Sequence, residues 1–434
     1  MFTVQRHEPE LIIPDKPTPR EVKTLSDIDS QKSLRMHVSG IFFYHTDPKM
    51  GNQNPAIVIK EALAKVLVFY YPFAGRLKED EMGKLMVDCT SEGVLFIEAE
   101  ADVTLKQLGD VIHPPFTYTE KFLYDVPGSS GVFDSPLLLI QVTRLLCGGF
   151  IVVVRHNHTM SDAVGLIQFM IALGEMIKGA SKPTMLPVWQ RGVLSARDPP
   201  RVTCTHHEYD DQPATVDEIM GKILLSSDMI QQSFFFGPQE ISAIRRFVPT
   251  HFQNRSTFEV LTACLWRCRT IALQPNPEQE MRMTCPVNAR KFKSFIPPGY
   301  YGNAIASLVA ISSARDLCNK PLGYALELII NAKSNVTEEY IRSSADLIVI
   351  KGRPSFSFFE GSYFISDVTR LGFDELDLGW GKPVYGGPIN VCTQFSSVYT
   401  RSNNQKGESG IAVTLSFRSV EMDRFVKELN SMLV

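Results

Sequence analysis

The sequence has no concentration of charge of one sign. Its 44 Lys and Arg stand against 47 Asp and Glu, a formal net charge of -3. Both signs are scattered, so the basic stripe that a nucleic-acid backbone requires is missing and no nucleic-acid partner is expected. Cysteine is sparse: eight residues, at 89, 147, 204, 264, 268, 285, 318 and 392, with no C-x-x-C pair. That excludes a disulfide scaffold and fits a reducing, cytoplasmic setting. Cys264 and Cys268 share a helix face, but two thiols without a neighbouring histidine or carboxylate read as packing groups, and no metal site is expected. The start lacks a basic segment followed by a long apolar one, so no secretory signal is expected. The most apolar stretch, residues 136–154, is interrupted by Gln141, Thr143, Arg144, Gly148 and Gly149. It is read as two buried strands, not as a membrane span. No G-x-S-x-G elbow occurs, so no serine nucleophile presents itself.

What is present is enough apolar material for a large core, 44% of 434 residues, in a chain longer than one core usually organises, which points to two domains. Helical spacing over residues 57–67, short strands at 84–89 and 93–99 and a buried strand at 136–142 describe a mixed α/β layer. Residues 181–213 hold Pro183, Pro187, Pro199, Pro200 and Pro213 with little periodicity, and form the best candidate linker. The grammar then restarts with a strand at 232–236. Ser256 and Glu259 form a capping-box pattern that opens a helix over 260–272, and residues 422–434 read as a closing amphipathic helix.

The stretch "HNHTMSDAVG", residues 156–165, places two histidines and an aspartate between an apolar strand at 150–154 and an apolar helix at 166–177. Asp162 stands where it can N-cap that helix. His158, at the end of a buried strand, has the fixed backbone and partly apolar setting of a general base. Two other readings stand beside this one: a hydrogen-bonded core histidine with a plain cap, and a metal site built on His156, His158 and Asp162, which lacks a completing ligand.

"HTMSD" at 158–162 resembles the H-x-x-x-D signature of the BAHD acyl-CoA-dependent acyltransferases. The family's D-F-G-W-G motif is matched near the C-terminus by "DLGWG" at 377–381, with Leu378 in place of phenylalanine. "LSDID", "YYPFAGRL", "LLLIQVTRL", "ARDPPRVTC", "GYYGN" and "GKPVYGGP" are similar to the alcohol acyltransferase branch, which includes benzyl alcohol O-benzoyltransferases. The likeness covers nearly the whole chain. It implies an α/β fold of two chloramphenicol-acetyltransferase-like domains of similar size, residues 1–180 and 214–434, joined by a crossover loop at 181–213, with a channel at their interface.

By that resemblance His158 is the base that deprotonates an acceptor hydroxyl as it attacks an acyl-CoA thioester. Trp380 is the donor to the oxyanion. Asp162 pairs with Arg290 of an N-x-R segment to hold the loop, and Asp377, Gly379 and Gly381 set backbone. Ser256, Thr257, Asn303 and Asp367 match positions that line the acyl-CoA side. Ser256 and Thr257 open a helix whose free amides suit a phosphate, although a plain capped helix explains them equally. Lys291 and Lys293 read either as phosphate contacts or as a solvated turn. The aromatic runs at 42–44 and 356–359 read either as pocket lining or as strand packing. His156 stands where the family has leucine, and the segment after Gly387 is shorter than usual.

The expected partners are an acyl-CoA donor and a small alcohol, with acyl-CoA as co-substrate and no cofactor. Benzoyl-CoA with benzyl or a related alcohol is the first expectation; acetyl-CoA with a volatile alcohol, or a bulkier alcohol such as an alkaloid, is the second. A monomer, with no membrane association, is expected. N-acylation would use the same base. A non-catalytic binding member is disfavoured by the intact His158, Asp162 and Trp380, and a carrier-dependent condensation domain by Asn157 and Ala163 beside the motif.

Overall fold

The computed structural model describes every residue except 1, 52, 110–111, 117, 211–227, 357–358 and 390–392. The end of the crossover segment, part of the aromatic run at 356–359 and residues 390–392 of the segment after Gly387, Cys392 among them, therefore lie outside the described residues.

Two large mixed sheets organise the described chain. The centre of the first is the hairpin Leu138–Leu145 and Phe150–Asn157, paired antiparallel from Leu138 opposite His156 to Arg144 opposite Phe150. These are the two strands expected from the interrupted apolar stretch. Phe150–Asn157 is buried at every position, which explains a continuous apolar run where a half-exposed strand would alternate. Gln141 lies inside this sheet without exposed surface and donates to Thr143 Oγ1 at 3.1 Å. Strand His37–Tyr44 flanks the hairpin on one side, with His37 opposite Asn157. Val94–Ala101 flanks it in parallel on the other.

The second sheet runs through Met229–Phe236, Ser409–Arg418, Ser396–Asn403, Ser362–Asp367, Glu280–Asn288 and Ile305–Ser313. Helix Thr257–Leu273 packs on it behind the expected capping box. Cys264 and Cys268 are buried there with their sulfurs 4.0 Å apart, as packing groups should be. The closing helix spans Ser419–Leu433.

The two sheets do not follow the two halves of the chain cleanly. Strand Tyr385–Pro388 pairs antiparallel with Phe43 to Gly40 and so joins the first sheet, while Phe373, Leu376, Leu378 and Trp380 pack in the first core. Residues 42–44 prove to be strand packing: all three are fully buried, with Tyr44 stacked on Phe150 and Phe43 against Phe116 and Tyr385.

The segment from 181 is a strap, not a free linker. Trp189 Nε1 donates to Thr24 O, and Arg197 pairs with Asp346 at 2.6 Å. His206, Glu208 and Ser343 stand in the order of a serine triad, with His206 Nε2 2.9 Å from Ser343 Oγ and Nδ1 3.2 Å from Glu208. Ser343, however, has no exposed surface and accepts the amides of Thr203 and Cys204. This cluster fastens the strap to helix Glu338–Ile350 and offers no nucleophile.

Helix Ala163–Ile177 carries the histidine turn at its N-terminus, and two glycines let the second half of the chain approach it. A methyl group at Gly165 would sit 2.0 Å from Tyr301 O, and one at Gly174 would sit 2.5 Å from Asp377 O. Gly165→Ala is expected to force the helix and the 299–303 loop apart, at a cost of about 1–3 kcal/mol. Denaturant unfolding of the variant measures it, and unchanged stability would show that the contact yields freely.

Candidate active site

The strand ends at Asn157, and its side chain turns the chain: Oδ1 accepts the amide of Thr159 at 3.2 Å and its hydroxyl at 2.7 Å. His158 follows immediately, its own amide bonded to Met36 O at 2.8 Å. The residue keeps part of its surface exposed, while Nδ1 is buried without a partner among the protein atoms.

Asp162 does cap the helix, accepting Gly165 N at 2.9 Å. The same carboxylate accepts both terminal nitrogens of Arg290, at 2.8 and 3.1 Å, and Ala304 N at 2.9 Å. Burial pushes its carboxyl up, but Arg290 and the two amides outweigh burial and hold it below the ordinary carboxylate range. The capped-helix reading and the Arg290 pairing thus both hold. Every oxygen is committed to holding the turn, and none is left for a substrate.

A second buried carboxylate supports the turn from beneath. Asp29 has no exposed surface and accepts five donors: Ser26 N and Oγ, Arg191 Nη1, and the backbone and side-chain nitrogens of Asn303. Asn303 then donates to the carbonyls of His158 at 2.8 Å and Thr159 at 3.3 Å. Arg191 donates to Met160 O at 2.7 Å. Three successive carbonyls of the histidine turn are therefore bonded to side chains that converge on one carboxylate. This corrects the placement of Asn303 on the acyl-CoA side: it is fully buried under the turn. The parts of Asp29 and Arg191 were not legible in the sequence, because a carboxylate in "LSDID" and an arginine in a proline-rich segment carry no sign of where they meet.

Trp380 is also corrected. Its ring packs edge-on against Phe150 at 4.9 Å, at the opposite end of the strand from His158. Eight residues of strand span about 25 Å. A second measure agrees: Lys178, just beyond the far end of the 15-residue helix, pairs with Asp377 at 2.9 Å, and that helix is about 22 Å long. An oxyanion donor has to lie within a hydrogen bond of the reacting carbonyl, so Trp380 is a core residue. The rest of its motif does set backbone. Asp377 Oδ1 accepts the amides of Gly379 at 2.8 Å and Gly381 at 3.0 Å, and those residues take φ of +94° and +82°, where a side chain is strained. Leu378 is fully buried in the first core.

Ser256, Thr257 and Asp367 gather at one end of the second sheet. Asp367 is level with Tyr399, whose ring lies 6.0 Å from that of Phe258. The Ser256 hydroxyl is committed to the capping box with Glu259, which also pairs with Lys333 at 2.9 Å. Asp367 accepts the amide and hydroxyl of Thr369. Lys291 donates to Val336 O at 3.3 Å, and Lys293 is exposed. Among the described residues no three His, Cys, Asp or Glu side chains are grouped to hold a metal ion, and no helix is long and apolar enough to cross a membrane.

His156 is fully buried behind the turn, with Nε2 3.0 Å from Ser161 O. Burial, with help from His158, pushes its pKa down to about 3. The unfolded chain takes up a proton at this residue near pH 6.5 that the folded chain refuses. Its contribution to stability is therefore complete above about pH 6.5 and falls as the pH is lowered toward 3, by about 1.4 kcal/mol per unit. His156→Leu is expected to lose less stability than the wild type between pH 6.5 and 4.5 in denaturant unfolding; an equal loss would place the titration elsewhere. Trp380→Phe is expected to lower the melting temperature and leave kcat unchanged, whereas a kcat loss of a hundredfold or so would return it to the oxyanion.

The Transferase family profile matches residues 2–432. A benzyl alcohol O-benzoyltransferase of Petunia hybrida is 59% identical over 438 residues, covering 100% of this chain and 94% of that protein. A 13-hydroxylupanine O-tigloyltransferase of Lupinus albus is 52% identical, covering 100% of this chain and 95% of that protein. Among solved structures, vinorine synthase superposes with a TM-score of 0.73 at 22% identity, over 99% of this chain and 98% of that one.

Proposed function

The chain belongs to the Transferase family, the BAHD acyl-CoA-dependent acyltransferases, and on that premise we propose that it transfers a benzoyl group from benzoyl-CoA to benzyl alcohol or a related alcohol, with His158 as the base. Acyl transfer from acyl-CoA to an alcohol is the activity of the chain; the acyl group, the alcohol and the residue roles are the proposal. The 59% identity to a benzyl alcohol O-benzoyltransferase supports the choice of substrates. The observation that carries the mechanism is the partly exposed His158 on a turn whose neighbouring carbonyls and carboxylate are all held.

In this reading His158 takes the proton of the acceptor hydroxyl as its oxygen bonds to the thioester carbonyl carbon. The tetrahedral adduct then collapses, the carbon–sulfur bond breaks, and the departing thiolate recovers the proton from the imidazolium. No acyl-enzyme forms, and neither metal nor cofactor takes part. General-base assistance of this kind is worth roughly 10²- to 10⁴-fold. Asp162 and Arg290 hold the turn and do not exchange protons. The end of the second sheet carrying Ser256, Thr257 and Asp367 is proposed to take the acyl-CoA. What it offers a phosphate is the start of a 17-residue helix, with the positive charges of Lys291 and Lys333 nearby although Lys333 is paired with Glu259 and Lys291 donates to Val336 O.

The test is a matrix of acetyl-, benzoyl- and tigloyl-CoA against small and bulky alcohols, following thiol release and identifying the ester by mass. Benzoyl-CoA with benzyl alcohol is expected to turn over fastest, and His158→Ala to lose at least about a hundredfold in kcat while folding normally. A variant that keeps most of its rate would remove His158 from the mechanism. Faster turnover of tigloyl-CoA with a bulky alcohol would replace the substrates, in line with the 52% identity to an O-tigloyltransferase.

A further inference from the structure

Two buried ring nitrogens of the histidine turn have no partner among the protein atoms: Nδ1 of His156 and Nδ1 of His158. The two rings lie 6.1 Å apart, centre to centre. A base that uses Nε2 has to carry its proton on Nδ1, and that proton needs an acceptor if the tautomer is to be held. The neighbouring carbonyls are already taken, by Asn303 at His158 and Thr159 and by Arg191 at Met160. His156 differs from them. Its Nε2 faces the Ser161 carbonyl at 3.0 Å, and a carbonyl only accepts, so Nε2 carries the hydrogen and Nδ1 presents a bare lone pair. Two hydrogen bonds through one water reach up to about 5.5 Å, a span that ring nitrogens turned toward each other fit when the ring centres are 6.1 Å apart.

We infer that His156 is a positioning residue for the base: through one bridging water its Nδ1 accepts the Nδ1 proton of His158, holding the tautomer in which Nε2 is free to take the substrate's proton. This rests on the reading of His158 as the base. The charge state of His156 suits the role. The charged and titratable groups that act on it are His158, His37 from the flanking strand, and Asp162, whose charge is matched by Arg290; on the other flanking strand Leu138 stands opposite it. With its pKa near 3, His156 stays neutral throughout the working range, so it offers an acceptor without adding a positive charge beside the imidazolium that forms on His158. A leucine in its place would fill the space and remove the acceptor.

The experiment combines nitrogen-15 histidine spectra with steady-state kinetics, using the acyl-CoA and alcohol pair that turns over fastest. In the wild type, neutral His158 is expected to carry its proton on Nδ1. His156→Leu is expected to shift that proton toward Nε2 and to lower kcat about tenfold with KM unchanged, the size typical of losing a partner that orients a functional imidazole. His156→Gln keeps a carbonyl oxygen as acceptor and is expected to recover most of the rate. The inference is overturned if a folded His156→Leu protein retains both the tautomer and kcat. It is equally overturned if the wild-type spectrum places the proton on Nε2, a result that stands even where the leucine variant does not fold. His158→Ala, measured alongside, separates the two readings. If it keeps its rate, the base assignment fails; if it loses its rate while His156→Leu does not, only the role of His156 fails.

Discussion

The histidine turn depends on one buried carboxylate. Asp29 lies without exposed surface among five donors. A charge so placed is tolerable only when it is paired and fully hydrogen-bonded, and removing one partner of such a pair typically costs 3–5 kcal/mol. Its donors come from three distant parts of the chain: the segment at 26–29, the strap at 191 and the loop at 303. Each must be in place for the others to be satisfied. Asn303 and Arg191 then extend this order to the carbonyls of the histidine turn. The base proposed at His158 would have to be held within a fraction of an ångström, and here the hold is on the main chain.

The Asp162–Arg290 pair does the same from the other side of the turn. It joins the first residue before the histidine helix to the end of a strand of the second sheet. Gly165 allows the Tyr301 carbonyl to rest on that helix, so a polar pair and a close steric fit secure one junction. At the other end of the helix, Gly174 and Lys178 receive the 377–381 segment in the same manner. The two motifs that mark this family therefore hold the two ends of a single helix. One bears His158; the other locks a segment of the second half onto the first core, where Trp380 and Leu378 are packing residues. That both motifs belong to one architecture explains why they occur together without sharing the chemistry.

Much of this was legible from local pattern. The continuous apolar run before His158 is a strand buried at every position, and Asp162 and Ser256 cap their helices as their spacing requires, because capping is decided within three or four residues. The Arg290 pairing was also anticipated, by resemblance and not by spacing, since 128 residues separate it from its partner. Distance along the chain is where sequence pattern fails. Trp380 has an indole N–H suited to an oxyanion, and only its position, a strand's length from His158, excludes it. Asn303 resembles a ligand contact until its burial is seen.

The sequence by itself determined the periodicities, the caps, the turn that carries His158 and the family, since all of these are written in neighbouring residues or in motifs. Tertiary structure alone decided which polar groups meet. The convergence of Asp29, Arg191 and Asn303 under one turn and the passage of Tyr385–Pro388 into the first sheet arise from packing two sheets and a strap together. Long-range contacts of this kind are fixed by the whole core, and no local spacing encodes them.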